Sequence, residues 1–331
     1  MCLIVGPNAA GKTSLLEAIA YCGLGRSFRG ATTDKLVRRG AAEFVVVADV
    51  ERGGVRGKVG VRNGKGGLEV SVGGEHGGGA AALAAALPVQ VIDPEIHALV
   101  AGGPEERRRF LDWVVFHVEQ GFLDSWRRYR RVLKQRNACL KAGGRESDLV
   151  AWDRELIEYA EAVTAQREST FALIEPLLAE VAERLLGAAV GFEFRRGWKS
   201  ELDLAAALQE SRDRDRKLQT THVGPQRADI RLVFDDRVAK KMVSRGQQKL
   251  LACAMVLAAT EVYQEVAGEP LLILLDDPAA ELDDRSLGRL VAELERLGSQ
   301  IIATSLDAGR PSFAHPPRMF HVEQGQLQRA V

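Results

Sequence analysis

The sequence predicts an α/β fold in which residues 1–100 and 226–331 make one lobe, with an antiparallel β subdomain, and residues 101–225 form an inserted, mostly helical second lobe. Three observations lead there. A short apolar run at the start enters a glycine-rich loop and then a helical segment. From Pro104 to Gly187 helical periodicity dominates. After Gly246 helices and apolar strands alternate again, and those two periodicities are the primary signals of helix and strand.

Taken in order, residues 1–5 (MCLIV) are a strand feeding a loop, and Thr13 to Leu24 has helical character. From Phe44 to Val72 short β-rich runs are broken by Gly53-Gly54, Asn63-Gly64 and Gly73-Gly74, the punctuation of an antiparallel meander. The Gly/Ala-rich tract from Gly73 to Ala86 is expected to hold a loop and a helix. Gly103-Pro104-Glu105-Glu106 is a helix start, with proline at the first position and acids in the first turn. In the next helix Phe122, Trp126, Tyr129, Leu133 and Leu140 recur near helical spacing, while Arg127, Arg128, Arg130, Arg131 and Lys134 fill much of the rest. One face is therefore apolar and another basic. A third helical stretch, Asp148 to Leu186, is richer in acids, and Pro176 is expected to kink or split it. A run from Phe192 to Trp198, one more helix and a hairpin (Ile230 to Phe234, then Val238 to Met242) lead back to the α/β part, with strands at Leu271 to Leu275 and Gln300 to Thr304.

At 331 residues, 46% hydrophobic and 27% charged, the chain has the composition of a globular protein and not of a disordered one. Lys plus Arg and Asp plus Glu number 45 each, so any nucleic-acid contact must come from a local basic surface. The four cysteines (Cys2, Cys22, Cys139, Cys253) form no C-x-x-C pair, and neither a zinc site nor a disulfide framework is expected. No apolar run approaches the roughly 20 residues that span a bilayer. The chain enters a phosphate-loop motif at once, leaving no room for a signal peptide, and a cytosolic location is expected.

Gly6-Pro7-Asn8-Ala9-Ala10-Gly11-Lys12-Thr13 matches G-x-x-x-x-G-K-[ST] in full and is followed by Ser14 at the start of a helix. The glycines let backbone N–H groups curl around phosphates, Lys12 is placed to neutralise the β and γ oxygens of ATP, and the Thr13 hydroxyl can ligate Mg2+. A plain glycine turn is the bland alternative, and the flanking strand and helix weigh against it. Leu271 to Leu275 followed by Asp276-Asp277 has the form of a Walker B strand, an apolar run that delivers carboxylates beside the phosphate loop. Asp276 is the candidate magnesium holder, and Asp277 stands where a second carboxylate would orient the attacking water.

Ser244-Arg245-Gly246-Gln247-Gln248-Lys249 opens a long helix shortly before that strand. It creates a second anion-binding helix N-terminus in the chain, which one triphosphate in one monomer does not require. In ABC ATPases such a signature motif of one subunit caps the γ-phosphate held by another, so Ser244, Gly246 and Gln247 are candidate nucleotide contacts across a homodimer. Alone, Ser-x-Gly is an ordinary helix cap; its position before Walker B carries the weight. Ala280-Glu281-Leu282-Asp283 follows at the distance of a D-loop. The fold class is thus an ABC-type P-loop ATPase head.

With these motifs in this order the chain resembles the RecF family of bacterial recombination mediators, relatives of the SMC and Rad50 ATPases. The resemblance covers nearly all of the sequence and rests on Gly25-Arg26-Ser27-Phe28-Arg29, on Gly102 through Trp113, on Leu133-Lys134-Gln135-Arg136-Asn137, on Gly224-Pro225-Gln226-Arg227-Ala228-Asp229 and on the Ser244 hexapeptide. It implies a head with a helical second lobe and no long coiled coil, dimerisation on ATP, binding to DNA near single-strand/double-strand junctions, slow hydrolysis, and help in loading RecA at gaps together with RecR and RecO. Three departures stand out. The phosphate loop begins five residues from Met1, where the family has preceding strands, so those strands are expected either to have been cut off by a misassigned start or to be naturally absent. Ala280 occupies a position that is usually serine, and no transporter-type histidine follows Thr304.

A transporter ATPase subunit would show Leu-Ser-Gly-Gly-Gln, a switch histidine and a shorter path from Walker A to signature. An SMC-like structural protein would need a longer helical insertion for its arm, and a metabolic kinase has no use for the Ser244 motif. Arg107, Arg108 and Arg109, and the run Arg127, Arg128, Arg131 and Lys134, are candidate DNA contacts; for each a solvated helical face is at least as good an account. His97, His117, His222, His315 and His321 show no metal spacing.

Overall fold

The computed structural model describes residues 1–234, 237–238, 243–280, 282–307, 309 and 313–329. The Asp235-Asp236 turn, residues 239–242 of the expected hairpin and Glu281 of the D-loop lie outside the described residues. The chain forms two compact units, residues 1–96 with 263–331 and residues 97–262.

The first unit begins with β1 (Cys2–Val5), whose Leu3 and Ile4 are almost wholly buried, and α1 (Lys12–Leu24), which ends where Gly25 takes a left-handed φ of 63° and its N–H donates to Tyr21 O. After the short α2 (Thr33–Leu36) come β2 (Glu43–Arg52), β3 (Val55–Gly64), β4 (Gly67–Val72) and β5 (Glu75–His76), an antiparallel sheet in that order. This is the meander expected from the glycine punctuation. Its inner face, with Val59, Val61 and Val70, packs with Tyr21 and Cys22 of α1 and with Leu83 of α3 (Gly79–Ala86) into one apolar cluster. Tyr21 meets Phe44 edge-on at 5.0 Å, and its hydroxyl accepts from Asn63 Nδ2 at 2.7 Å. The chain then enters β6 (Val89–Ile92).

The second unit is mostly helical, and it takes in residues 226–262, which the sequence had assigned to the first lobe, because the strand Asp229–Phe234 pairs with Gly191–Arg195 of this unit. It holds α4 (Ala98–Ala101), α5 (Pro104–Val118), α6 (Phe122–Lys141), α7 (Glu146–Leu186), β7 (Gly191–Arg195), α8 (Leu204–Leu218), β8 (Asp229–Phe234) and β9 (Arg237–Val238), the last three strands pairing antiparallel. α5 starts on Pro104 with Glu105 and Glu106 in its first turn. α7 runs unbroken through Pro176 for 41 residues. Proline removes one i to i−4 hydrogen bond, and both Ala172 and Pro176 are exposed, so water can satisfy the orphaned carbonyl and the split does not occur. The interior is tied by arginines. Arg136, fully buried, donates to Asp153 (2.7 Å), Asp215 (2.9 Å) and Thr221 (2.8 Å). Arg167 holds Asp112 with two nitrogens and the Pro225 carbonyl with a third. α9 (Arg245–Ala267) is long and apolar enough to cross a membrane by length and composition, yet it is a core helix whose residues from Leu251 to Ala259 are 0–3% exposed.

From Tyr263 the chain belongs again to the first unit, adding β10 (Leu272–Leu275), α10 (Asp284–Arg296), β11 (Gln300–Ser305), β12 (Arg318–Glu323) and β13 (Gln326–Arg329). The resulting six-stranded sheet has the order β13-β12-β1-β11-β10-β6 and is parallel except for the β12–β13 hairpin. β1 and β10 lie either side of β11, with Val5 level with Ser305 and Leu275 level with Ala303. The carboxyl ends of the three strands therefore meet at one rim, the usual ligand edge of an open α/β sheet.

Candidate nucleotide-binding site

That rim carries the phosphate loop. Between β1 and α1 the backbone turns back on itself with positive φ at Ala9 (63°) and Gly11 (105°), and Ala10 N–H donates to Pro7 O. Glycine enters left-handed conformations freely, whereas Ala9 there carries strain of order 1 kcal/mol. Lys12 is only 9% exposed and folds over the loop, donating to Gly6 O at 2.6 Å and Pro7 O at 2.9 Å. Backbone carbonyls are weak competitors for an ammonium beside a phosphate anion.

Thr13 begins the second turn of contacts. Its hydroxyl donates to Asp276 Oδ1 at 3.0 Å, and Thr304, at the end of β11, donates to the same oxygen at 2.8 Å. Thr304 Oγ1 in turn accepts the Asp277 N–H at 3.0 Å. One threonine thus orients both acidic residues, and Asp277 is fixed with a φ of 44°, a left-handed conformation uncommon outside glycine and concentrated at functional sites. Two oxygen donors on adjacent elements, the Thr13 hydroxyl and the 7%-exposed Asp276 carboxylate, match the hard-oxygen preference of Mg2+.

These groups surround a cavity of about 290 Å³ lined by residues 8–14, Arg29, Asp276, Asp277 and Thr304. A second cavity of about 560 Å³ shares Ser14 and Arg29 with it and continues past Glu17, Tyr21, Gly30, Ala31 and Phe44. Its wall is braced by Ser27, which donates to Glu17 and accepts the N–H groups of Arg29 and Ala31 at 3.1 Å. Of the phosphate-loop residues expected from sequence, Asn8 to Ser14 line the first cavity with both aspartates, while Gly6 and Pro7 hold Lys12 through their carbonyls. Thr304 and Arg29 join them without having been singled out. For Thr304 the available signal was a hydroxyl closing the apolar run Ile301-Ile302-Ala303.

The other candidates lie in the second unit. Ser244 caps α9 in a reciprocal box: Gln247 N–H donates to Ser244 Oγ at 3.3 Å, and Ser244 N–H donates to Gln247 Oε1 at 2.9 Å. Ser244 and Gln247 are exposed and Gly246 half-buried. Arg107 is buried and filled by Asp229 (2.7 and 3.2 Å) and by the carbonyls of Leu99, Val100 and Gly102, and Arg108 donates to Ala228 O at 2.8 Å. Burial presses the Arg108 guanidinium below its usual range, with Arg167 adding to it. Both arginines are consumed by the scaffold. On α6 the outcome is the reverse, because Arg127, Arg128, Arg130, Arg131 and Lys134 are all exposed. Arg130 lies 4.8 Å over the Trp126 ring and Arg128 5.8 Å over Tyr159.

A P-loop sheet with this Walker pair, an antiparallel subdomain and a helical insertion defines an SMC-type ABC ATPase head. The family profile described as "RecF/RecN/SMC N terminal domain" matches residues 1–328. Proteins named "DNA replication and repair protein RecF" from Stenotrophomonas maltophilia (strain R551-3) and Edwardsiella ictaluri (strain 93-146) are 43% and 40% identical over 337 and 329 residues, with 98% of this chain and 92% of each relative covered. The chain belongs to the RecF family. Its fold superposes on a structure titled "Structure of the recombination mediator protein RecF-ATP in RecFOR pathway" with a TM-score of 0.88 at 24% identity, covering 99% of this chain and 91% of that one. An Smc head bound to the C-winged helix domain of ScpA follows at 0.59 and 15%.

Proposed function

We propose that this protein binds ATP with magnesium in the phosphate-loop cavity, dimerises on it, and uses the dimer to hold DNA near single-strand/double-strand junctions, assisting RecA loading at gaps with RecR and RecO in the cytoplasm. The observation that carries this is the convergence of Lys12, Thr13, Asp276, Asp277 and Thr304 on one cavity. The Gly6–Ser14 backbone cradles the phosphates, and Lys12 leaves the Gly6 and Pro7 carbonyls to pair with the β and γ oxygens. Thr13 and Asp276 would hold a magnesium ion, which would supply positive charge beside the transferring phosphoryl group. Asp277, fixed by Thr304, orients the attacking water as general base. The adjoining cavity past Arg29 has room for the nucleoside.

Ser244, Gly246 and Gln247 of a second copy complete the site by capping the γ-phosphate. Support for DNA contact comes from α6: Arg127, Arg131 and Lys134 recur on one face at helical spacing and, among the described residues, make no ion pair. A dimer presents two such faces, so DNA affinity rises with ATP through avidity. Fluorescence anisotropy of a gapped duplex, titrated with protein with and without magnesium ATP, tests this. Tighter binding with ATP is expected, and equal binding would refute the ATP-coupled account.

A further inference from the structure

The phosphate loop is braced on one side by a part of the chain far from it in sequence. β12 runs parallel to β1 with Val5 level with His321 and continues beyond it, so that its next residues lie beside the loop. At Gly6 the approach is so close that a Cβ would sit 2.3 Å from the Val322 carbonyl oxygen, and at Gly11 a Cβ would sit 3.7 Å from Gly325 Cα. Gly6 is therefore demanded by β12 as well as by the ligand. Ala10 is 6% exposed and packs in one core cluster with Val322. Its carbonyl accepts the Gly325 N–H at 3.0 Å.

Gln324 and Gly325 have φ of 48° and 76°, the two left-handed residues of a tight hairpin turn whose geometry matches strand twist. The turn is thus a stiff clip. A trans peptide is planar with its C=O and N–H pointing opposite ways, so a hydrogen bond that draws the Ala10 carbonyl outward turns the Gly11 N–H inward. Gly11 directly precedes α1 and is one of the residues lining the cavity. Ala9, next to the braced residue, keeps a left-handed conformation, which persists only where the surroundings over-determine it.

We propose that the β12–β13 turn, through the Gly325 amide, orients the Ala10–Gly11 peptide so that the Gly11 N–H is aimed at the nucleotide phosphates, which makes Gly325 a positioning residue for ATP. This rests on the nucleotide-binding reading of the loop. The test compares four proteins by calorimetric titration with magnesium ATP and by melting without nucleotide: the parent, an insertion of Ser-Gly between Gln324 and Gly325, Gly325→Asn and Gly325→Ala. Asparagine keeps the N–H and tolerates a left-handed φ, whereas alanine resists it. The insertion is expected to weaken ATP binding about tenfold or more with the nucleotide-free melting temperature held, since an amide hydrogen bond to an anion is worth at least that. Gly325→Asn stays within about twofold of the parent, and Gly325→Ala binds about fivefold more weakly. Parental affinity in the insertion variant overturns the proposal. Should the insertion lower the melting temperature, the Asn and Ala pair decides alone, and equal affinities in those two overturn it. A parent that fails to bind ATP refutes the nucleotide reading itself, a result distinct from a parent that binds and an insertion that binds equally well.

Discussion

Two charge clusters, one in each unit, are built in opposite ways. In the helical unit Arg136 is held inside the protein by Asp153, Asp215 and Thr221 through two of its three guanidinium nitrogens, and Arg167 with Asp112 and Arg107 with Asp229 pair nearer its surface. In the sheet unit Lys12 leans on two backbone carbonyls, and Asp276 accepts from two threonine hydroxyls. The first set is closed and the second is poised for exchange. Single stretches characteristic of the family divide along this line: Gly102 to Trp113, Leu133 to Asn137 and Gly224 to Asp229 supply the arginine ties, while Gly25 to Arg29 supplies a wall of the nucleotide cavity. Family character in a sequence therefore marks scaffold as readily as site. α6 shows both uses on one helix, with Arg136 wholly buried and Arg127 and Arg131 exposed.

Removing the closed set should cost the most. Arg136→Ala leaves Asp215 buried without its cation, and breaking such a pair costs about 3–5 kcal/mol; urea unfolding should show a lower midpoint, and a parental midpoint would end the contrast. In the poised set Asp277→Asn should lower ATP hydrolysis by about 100-fold or more, the contribution of a general base, with ATP affinity kept. Parental turnover in that variant would remove Asp277 from the chemistry. Lys12→Ala should weaken ATP binding by at least about tenfold, because it deletes a charge-assisted hydrogen bond, yet leave the unfolding midpoint of the nucleotide-free protein near the parent's. On α6, Arg127→Ala combined with Arg131→Ala should leave both stability and ATP affinity alone and reduce the salt slope of DNA binding by about 2, close to one for each phosphate that is no longer neutralised. An unchanged slope would assign that face to solvent. The smallest effect concerns the buried thiols: burial pushes Cys22 up to about 11 and Cys253 up to about 12, so at neutral pH a thiol reagent should leave both unmodified in the native protein and find them only after unfolding.

Much of the site was legible because its chemistry is local in the chain. A phosphate loop needs its glycines, lysine and threonine within eight consecutive positions, and the Asp276-Asp277 pair directly follows the apolar run that delivers it. The meander showed through its glycine pairs and the helical insertion through its periodicity. What escaped depends on partners distant in sequence. β6, four residues between Pro88 and Asp93, is a strand only because β10 pairs with it, and β12 and β13 need β1 and each other. Thr304 acquires its role from Asp276, 28 positions away, and Gly325 from Ala10. Arg136 stood in a run of basic residues, and only its place on the apolar stripe, seven residues after Tyr129 and four before Leu140, set the buried arginine apart from the exposed ones. Pro176 does not split α7, because the effect of a proline inside a helix depends on whether solvent can reach the carbonyl it orphans.

In the proposed mechanism ATP joins two copies through Lys12 of one and Ser244 with Gly246 of the other. A ligand that binds the dimer better than the monomer must drive dimerisation by mass action. Ser244→Arg places a bulky cation at the exposed start of α9 and removes the cap while leaving the phosphate loop untouched. Sedimentation velocity on parent and variant, with and without saturating magnesium ATP, is the direct measurement. The parent should move from monomer to dimer on ATP, and the variant should remain monomeric while still binding nucleotide. A parent that stays monomeric at saturating ATP would contradict the account.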